Sequence, residues 1–117
     1  MTKSVHPSVT GLLGLAVRAG QVKGGTEAVK KSVHGGKSRL VILAEDASEG
    51  TKRSFRRLAG SRGVPVLECH SSLELGSCLN SAPKVVLSIL DRHFASGMLK
   101  KACPAGGQAG PERARPS

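Results

Sequence analysis

Hydrophobic residues follow two different periodicities along the chain. Between residues 9 and 19 they recur at the spacing of one face of a helix, and Gly20 follows the last of them. Residues 39–44 (RLVILA) and 84–90 (KVVLSIL) are instead largely apolar runs of strand length, which are typical of strands covered on both faces. Over the whole chain, the pattern predicts helices at 9–19, 26–34, 49–62, 71–79 and 91–101, and strands at 21–23, 39–44, 64–68 and 84–90.

Four strands alternating with five helices predict an α/β protein in which helices are layered on a sheet. With 117 residues, 38% of them hydrophobic, the chain is long enough for one packed domain and too short for two. We assign that domain to residues 1–101. Residues 102–117 are rich in Pro, Gly, Ala and Arg, and we expect them to form a disordered tail.

The hydrophobic pattern contains neither a membrane span nor a secretory signal. The longest apolar run, residues 40–44, is far shorter than a helix needs to cross a bilayer. The first residues include a lysine but no apolar stretch of signal-peptide length. Cys69, Cys78 and Cys103 are odd in number and widely spaced, which argues against a disulfide framework. We therefore expect a cytoplasmic protein with no membrane association.

Charge narrows the choice of partner. The chain has 18 Lys and Arg against 8 Asp and Glu, a formal net charge of +10, and most of the excess lies in residues 1–60. Such a basic domain indicates a polyanionic partner, most often nucleic acid, although positive charge also serves solubility alone. The only aromatic residues are Phe55 and Phe94, so binding through bases stacked on aromatic side chains is disfavoured.

The most informative segment is residues 23–31, KGGTEAVKK. Two glycines allow a tight turn and the close approach of another molecule, and the helix start that follows exposes N–H groups to phosphate. Glu27, Lys30 and Lys31 share one helix face, where a carboxylate among lysines accepts from base edges while the lysines meet phosphates. The alternative is structural: Glu27 stabilises the helix dipole and forms an ordinary surface pair with Lys31.

Other basic segments are less specific. Lys52, Arg53, Arg56 and Arg57 form a stripe on the third predicted helix, either as a solvated face or as a source of non-specific phosphate attraction. Lys37 and Arg39, beside the central strand, are equally ambiguous. The segment 34–38, HGGKS, does not make a P-loop, because it closes a helix before a strand whereas a P-loop joins a strand to a helix.

No constellation points to catalysis, a metal or a cofactor. Cys69 and His70 are adjacent and lack CxxC-type spacing, so we interpret Cys69 and Cys78 as small buried hydrophobes. Asp91 is expected to cap the last helix, with His93 on its surface. Nothing marks a nucleophile or an oxyanion site, and we predict that the protein is not an enzyme.

The order of motifs carries a family resemblance. GGTEAVKKSVHGGKSRLVILAEDAS, RGVPVLE, SSLELG and KVVLSILDRHFASGML follow one another over about residues 8–100. In this order they resemble the kink-turn RNA-binding ribosomal protein superfamily, which includes the archaeal ribosomal protein L-seven-Ae, and especially its short bacterial YlxQ-type members. The resemblance implies a three-layer α/β/α sandwich around a four-stranded mixed sheet, and no catalytic residues.

The resemblance also implies a target, the kink-turn, an RNA bend in which a short bulge lies next to sheared G·A pairs. Ordinary A-form RNA hides its major-groove base edges, whereas a kink exposes them. The family reads those pairs with a Gly-x-Asn-Glu-x-x-Lys motif, which aligns with residues 24–30: Gly24, Glu27 and Lys30 match, and Thr26 stands where the family often has asparagine. A hydroxyl cannot reproduce the bidentate contact of an amide.

The family's second RNA contact is the loop after its ELG helix, which meets the bulged nucleotide and aligns here with residues 80–83. Our predicted RNA-binding residues are Gly24, Gly25, Thr26, Glu27, Lys30, Lys31, Lys37, Asn80, Ser81, Ala82 and Pro83. We expect a monomer that binds structured RNA, in particular ribosomal RNA, as part of the translation apparatus. The alternative is a protein-interaction module on the same fold, with weak or non-specific RNA binding.

Overall fold

The computed structural model describes residues 7–102 and contains all nine predicted elements. The second helix has the predicted bounds, and the other elements differ from prediction by two residues or fewer at each end. Residues 1–6 and 103–117, and with them all of the expected tail except Ala102, lie outside the described residues. The elements are α1 Pro7–Arg18, β1 Val22–Gly24, α2 Thr26–His34, β2 Leu40–Leu43, α3 Glu49–Ser61, β3 Val66–Glu68, α4 Ser72–Cys78, β4 Val86–Ile89 and α5 Arg92–Ala102.

The four strands form one mixed sheet in the order β1-β4-β2-β3. Strand β4 runs antiparallel to both β1 and β2, whereas β2 and β3 are parallel. It follows that β1, β2 and β3 all point the same way and end at the same edge of the sheet. The helices α2, α3 and α4 therefore begin at that edge, and the chain enters β4 from it.

Alternation along the central strand separates two hydrophobic cores. Leu40 and Ile42 of β2 face one cluster, which includes Leu13, Leu75 and Met98 of α1, α4 and α5. Val41 and Leu43 face a second cluster with side chains of α2 and α3. All four residues of β2 are buried, because helices cover both faces. The predicted three-layer α/β/α sandwich is confirmed.

The apolar run 84–90 contains one polar residue that the fold buries. Ser88 is fully buried in β4, on the face of the sheet that packs against α2 and α3. Its hydroxyl donates a hydrogen bond to Ser38 Oγ at 2.7 Å, and Ser38 is itself buried just before β2. A buried hydroxyl costs stability unless it is hydrogen-bonded, so this pair makes the serine tolerable inside a fully buried strand. Within residues 7–102 no helix has both the length and the apolar character needed to span a membrane.

Candidate nucleic-acid interface

The start of α2 is shaped by two consecutive glycines. Gly24 ends β1, and Gly25 precedes the helix with φ 101°, a conformation that side-chain-bearing residues rarely adopt. The Gly25 N–H donates to the Val86 carbonyl of β4 at 3.0 Å, and its own carbonyl accepts from Val29 N. The glycine pair thus turns the chain from the sheet into the helix while remaining tied to the neighbouring strand.

Helix α2 differs from its neighbours in having no side-chain cap. Ser48 Oγ accepts from the N–H of Thr51 at the start of α3, and Ser71 Oγ accepts from Glu74 N in a complete capping box on α4. Gly25, at the same position before α2, has no side chain and makes no such bond. Within residues 7–102, the first N–H groups of α2 therefore have no acceptor, which leaves them available to an anion.

Residues 80–83 lie beside this helix start. A Cβ atom on Gly24 would lie 2.6 Å from Leu79 Cδ1, so the end of α4 packs directly against the end of β1. The loop itself packs against Gly76, whose carbonyl accepts a hydrogen bond from Ser81 N at 2.9 Å. Asn80 has φ 55°, a left-handed conformation that asparagine tolerates. The two predicted contact regions, separated by about fifty positions in sequence, are thus neighbours at one edge of the sheet.

Lys84 belongs to the same site, although we predicted it only as the first residue of a strand. Its Nζ lies 3.9 Å from where a Cβ on Gly25 would stand, and its Cγ lies 3.7 Å from the corresponding position on Gly24. A cation beside a helix N-terminus is unfavourable unless an anion lies between them. The position of Lys84 just before β4 gave a possible signal, because that end of β4 meets the start of α2.

The exposed face of α2 brings most predicted basic residues together. Glu27, Ala28, Lys30, Lys31 and His34 line a shallow concavity of about 600 Å³. An adjoining concavity of about 450 Å³ also includes Ala28 and Lys31. Its other lining residues are Lys23, Ser32, Gly35, Lys37 and Leu90. Lys31 therefore lies between the two concavities, and Lys37, from the loop after α2, belongs to the same surface. Lys23 also lines this surface, although we did not predict it as an RNA-binding residue.

The basic stripe of α3 is not a single solvated face. Lys52 is only 9% exposed, and its Nζ lies 3.3 Å from Glu68 Oε1 on β3. Arg56 pairs with the other oxygen of the same carboxylate. The interpretation of the stripe as a solvated face is therefore wrong for Lys52, which is buried, whereas Arg56 is exposed as expected; Glu68, sixteen and twelve residues away, is ion-paired with both. Arg53 and Arg57 remain exposed.

The carboxylates at this edge have structural partners. Asp46 accepts from the Ser72 backbone N–H at 2.8 Å and from the Ser72 hydroxyl at 2.9 Å, and these bonds hold the pKa of Asp46 below its ordinary value. Glu74 accepts from Ser71 N at 2.7 Å, which lowers the pKa of Glu74 in the same way. Asp46 therefore anchors the start of α4.

The remaining titratable candidates also act structurally. Asp91 accepts from the N–H groups of His93 and Phe94, as predicted for a cap on α5, and His93 is exposed. Cys69 and Cys78 are partly buried against the larger core, and burial raises the pKa of the Cys78 thiol. In the part of the chain that the structure describes, no three His, Cys, Asp or Glu residues come together as metal ligands.

Comparison with known proteins gives consistent matches over the described domain. Residues 8–98 match the model of the Ribosomal protein L7Ae/L30e/S12e/Gadd45 family. RNA-binding protein YlxQ of Bacillus subtilis is 33% identical over 88 residues, which cover 75% of this chain and 88% of that protein.

Two solved structures share the fold. A protein of unknown function from Bacillus halodurans superposes with a TM-score of 0.78 and 33% identity, covering 83% of this chain and 98% of the other. The 15.5kD RNA binding protein of Giardia lamblia superposes with a TM-score of 0.71 over 87% of this chain and 88% of the other. At 23% identity, that second likeness supports the fold alone.

Proposed function

This chain belongs to the Ribosomal protein L7Ae/L30e/S12e/Gadd45 family, and from that membership we propose that it binds structured, kink-turn-like RNA through the N-terminus of α2. Family membership also agrees with the prediction that the protein is not an enzyme. Under this proposal it acts as a monomer in the cytoplasm, on ribosomal or other structured RNA of the translation apparatus. The RNA-binding domain corresponds to residues 1–101.

The observation that carries the proposal is the uncapped start of α2 next to Lys84. Amide groups without acceptors and a lysine ammonium converge on one small region, where neither has a partner among residues 7–102. A phosphate group satisfies both, because it accepts from backbone N–H groups and neutralises the positive ends of the helix and the side chain. In this arrangement the phosphate fixes the RNA against the protein, and side chains of α2 then read its bases.

Glu27 is the residue that we assign to base reading. It lies in the first turn of α2, exposed, with Lys30 and Lys31 three and four residues further on. A carboxylate accepts hydrogen bonds from the amino and imino groups of guanine, which a kink exposes and a regular duplex hides. Thr26 adds a single hydroxyl where an asparagine offers both a donor and an acceptor. We therefore expect the preference for kinked RNA to depend mainly on Glu27.

The lysines have a different role from Glu27. Lys30, Lys31 and Lys37 are all exposed, and no ion pair involves them within residues 7–102. Their contribution is attraction to phosphates, which is independent of sequence. It weakens as the salt concentration rises, because the release of counterions from the RNA then gains less free energy. In the proposal, the loop of residues 80–83, which lies beside the helix start, contacts the bulged nucleotide of the same RNA.

Binding to a kink-turn RNA and to a plain duplex of equal length, across a salt series, tests the proposal. We expect tighter binding to the kinked RNA. Glu27→Ala should reduce that preference by roughly 1–3 kcal/mol, the size of one good bidentate base contact. Lys84→Gln should weaken binding to both RNAs and lower the slope of log affinity against log salt by about 1, the value for one phosphate contact.

Lys100→Gln is the matched control, since it removes the same charge from an exposed position on α5, across the sheet from α2. It should leave both the preference and the salt slope nearly unchanged. Equal affinity of the native protein for the kinked RNA and the duplex would refute specific recognition. Absence of binding to either RNA would favour the alternative, a protein-interaction module on the same fold.

A further inference from the structure

The outer face of α3 has a surface that the α2 site does not use. It is a shallow concavity of about 580 Å³, and its lining positions are spaced three, four, seven, eight and eleven residues from the first, so they share one side of the helix. That side faces away from the buried Phe55 and Ala59. The lining residues are Gly50, Arg53, Ser54, Arg57, Leu58 and Ser61.

The charge of this face is positive and unneutralised. Glu68 forms ion pairs with Lys52 and Arg56. Glu49 forms a longer ion pair with Lys52, at 3.9 Å from its Nζ. Arg53 and Arg57 have no ion pair and no side-chain hydrogen bond within residues 7–102. The carboxylate of β3 thus divides the stripe of α3 into two residues that share one ion-pair partner, Lys52 and Arg56, and two with none, Arg53 and Arg57.

Arg53, Arg57 and the small residues that line the same concavity suit a sugar-phosphate backbone. Guanidinium groups bind phosphate with paired N–H donors, and two arginines one helical turn apart lie about 5–6 Å from each other at Cβ. Gly50, Ser54 and Ser61 are small, so they allow close approach, and the Ser54 hydroxyl is a further donor to phosphate oxygens, whereas the Ser61 hydroxyl donates to the Leu58 carbonyl. No carboxylate lines the concavity to repel an anion.

The position of α3 connects this face to the α2 site. Both helices cover the same face of the sheet, contact one another, and start at the same edge. Packed helices lie about 8–10 Å apart, so one RNA stem resting on α2 also reaches α3. We infer that Arg53 and Arg57 form a second phosphate-binding surface, which holds the stem flanking the RNA kink. This inference rests on the proposed function and extends it from the kink to its stem.

The test compares two RNAs with the full chain. One is a minimal kink-turn hairpin, and the other is the same hairpin with its flanking stem extended by a full helical turn. The native protein should bind the longer RNA more tightly and with a steeper salt dependence. Arg53→Gln/Arg57→Gln should remove that gain and lower the salt slope for the longer RNA by about 2, one for each phosphate contact, while leaving the minimal hairpin nearly unaffected.

Arg56→Gln and Arg57→Gln are a matched pair, because they remove the same charge from adjacent positions of one helix. Only Arg57→Gln should lower the salt slope on the longer RNA, since Arg56 is already paired with Glu68. Thermal unfolding of each variant checks that the fold is retained.

Three results would overturn the inference. One is an equal decrease of the salt slope on the longer RNA in Arg56→Gln and Arg57→Gln, which would show that only net charge matters. Another is an equal loss of affinity for the minimal and the extended hairpin in Arg53→Gln/Arg57→Gln. The third is unchanged binding of both RNAs by the double variant, which would leave this face to an acidic protein partner. If the native protein prefers kinked RNA but gains nothing from the longer stem, this inference fails and the proposed function stands; if it shows no preference for the kink, the proposed function itself fails.

Discussion

Gly24 and Leu79 are in such close contact that a Cβ atom on Gly24 would lie 2.6 Å from Leu79 Cδ1 and 3.1 Å from Leu87 Cδ2. The contact joins the last residue of β1 to the residue that follows α4. It sets the distance between the start of α2 and the loop of residues 80–83, the two parts of the candidate RNA site. Close packing, and not backbone conformation, favours glycine at position 24, since its φ is not positive.

Replacing Gly24 with alanine should therefore affect both stability and binding. The added methyl group forces Leu79 and Leu87 to move, and overpacking of this kind costs roughly 1–3 kcal/mol in the free energy of unfolding. Because the shift separates the two parts of the site, affinity for a kink-turn RNA should fall even at temperatures where the variant is fully folded. Denaturant unfolding and RNA titration measure the two effects. An alanine variant that matches the native protein in both would contradict the role given to this contact.

Gly76 is under a stricter constraint than Gly24. A Cβ there would lie 2.2 Å from the Ala82 carbonyl oxygen and 2.7 Å from Pro83 Cα, and backbone atoms cannot rotate away as a leucine end does. Gly76→Ala should cost about 3 kcal/mol or more in stability, at the upper end of overpacking effects. Gly60→Ala is the control, since nothing lies within 4 Å of its Cβ position on α3. That change should stabilise the protein by roughly 0.5–1 kcal/mol through helix propensity.

Glu68 should matter for stability through Lys52. The Lys52 side chain is 11% exposed, so removing Glu68 leaves a nearly buried ammonium whose remaining ion pair is the longer one to exposed Glu49, at 3.9 Å. Glu68→Gln should destabilise the fold by about 1–2 kcal/mol, less than for a fully buried pair because Glu68 itself is 31% exposed. Glu49→Gln should change stability by no more than about 0.5 kcal/mol, as expected for a surface substitution. Equal losses in the two variants, measured by urea unfolding, would show that Glu68 has no special role.

The Asp46–Ser72 hydrogen bonds predict a specific pH dependence. They lower the pKa of Asp46 in the folded state, so the ionised carboxylate contributes stability at pH values above the point where an unperturbed aspartate titrates. This contribution is lost as the pH falls through the lowered folded-state pKa. The difference in melting temperature between the native protein and Asp46→Asn should therefore be largest near neutral pH and shrink as the solution is acidified. A difference that stays constant over that range would contradict the assignment.

The local sequence pattern was sufficient to predict the helices and strands, because the formation of each depends on residues that are close in sequence. The helix 26–34 begins after two glycines and ends before two more, and the run 40–43 is apolar throughout, so local periodicity and turn residues determine both. The serine cap of α4 and the aspartate cap of α5 were predictable for the same reason, since a cap lies within three residues of its acceptor or donor.

Contacts between distant segments were decided only by the tertiary structure. Glu68 forms ion pairs with Lys52 and Arg56 because the parallel pairing of β2 and β3 carries its strand under α3, and no periodicity in the sequence reveals that register. Lys84 reaches the start of α2 because β4 lies next to β1, sixty residues away in sequence. The sequence by itself determined where the uncapped helix start of the candidate site lies, since the glycines before it are consecutive and the lysines follow within α2. Which cations face that helix start, and which are already paired, depends on strand order, which only the packed sheet defines.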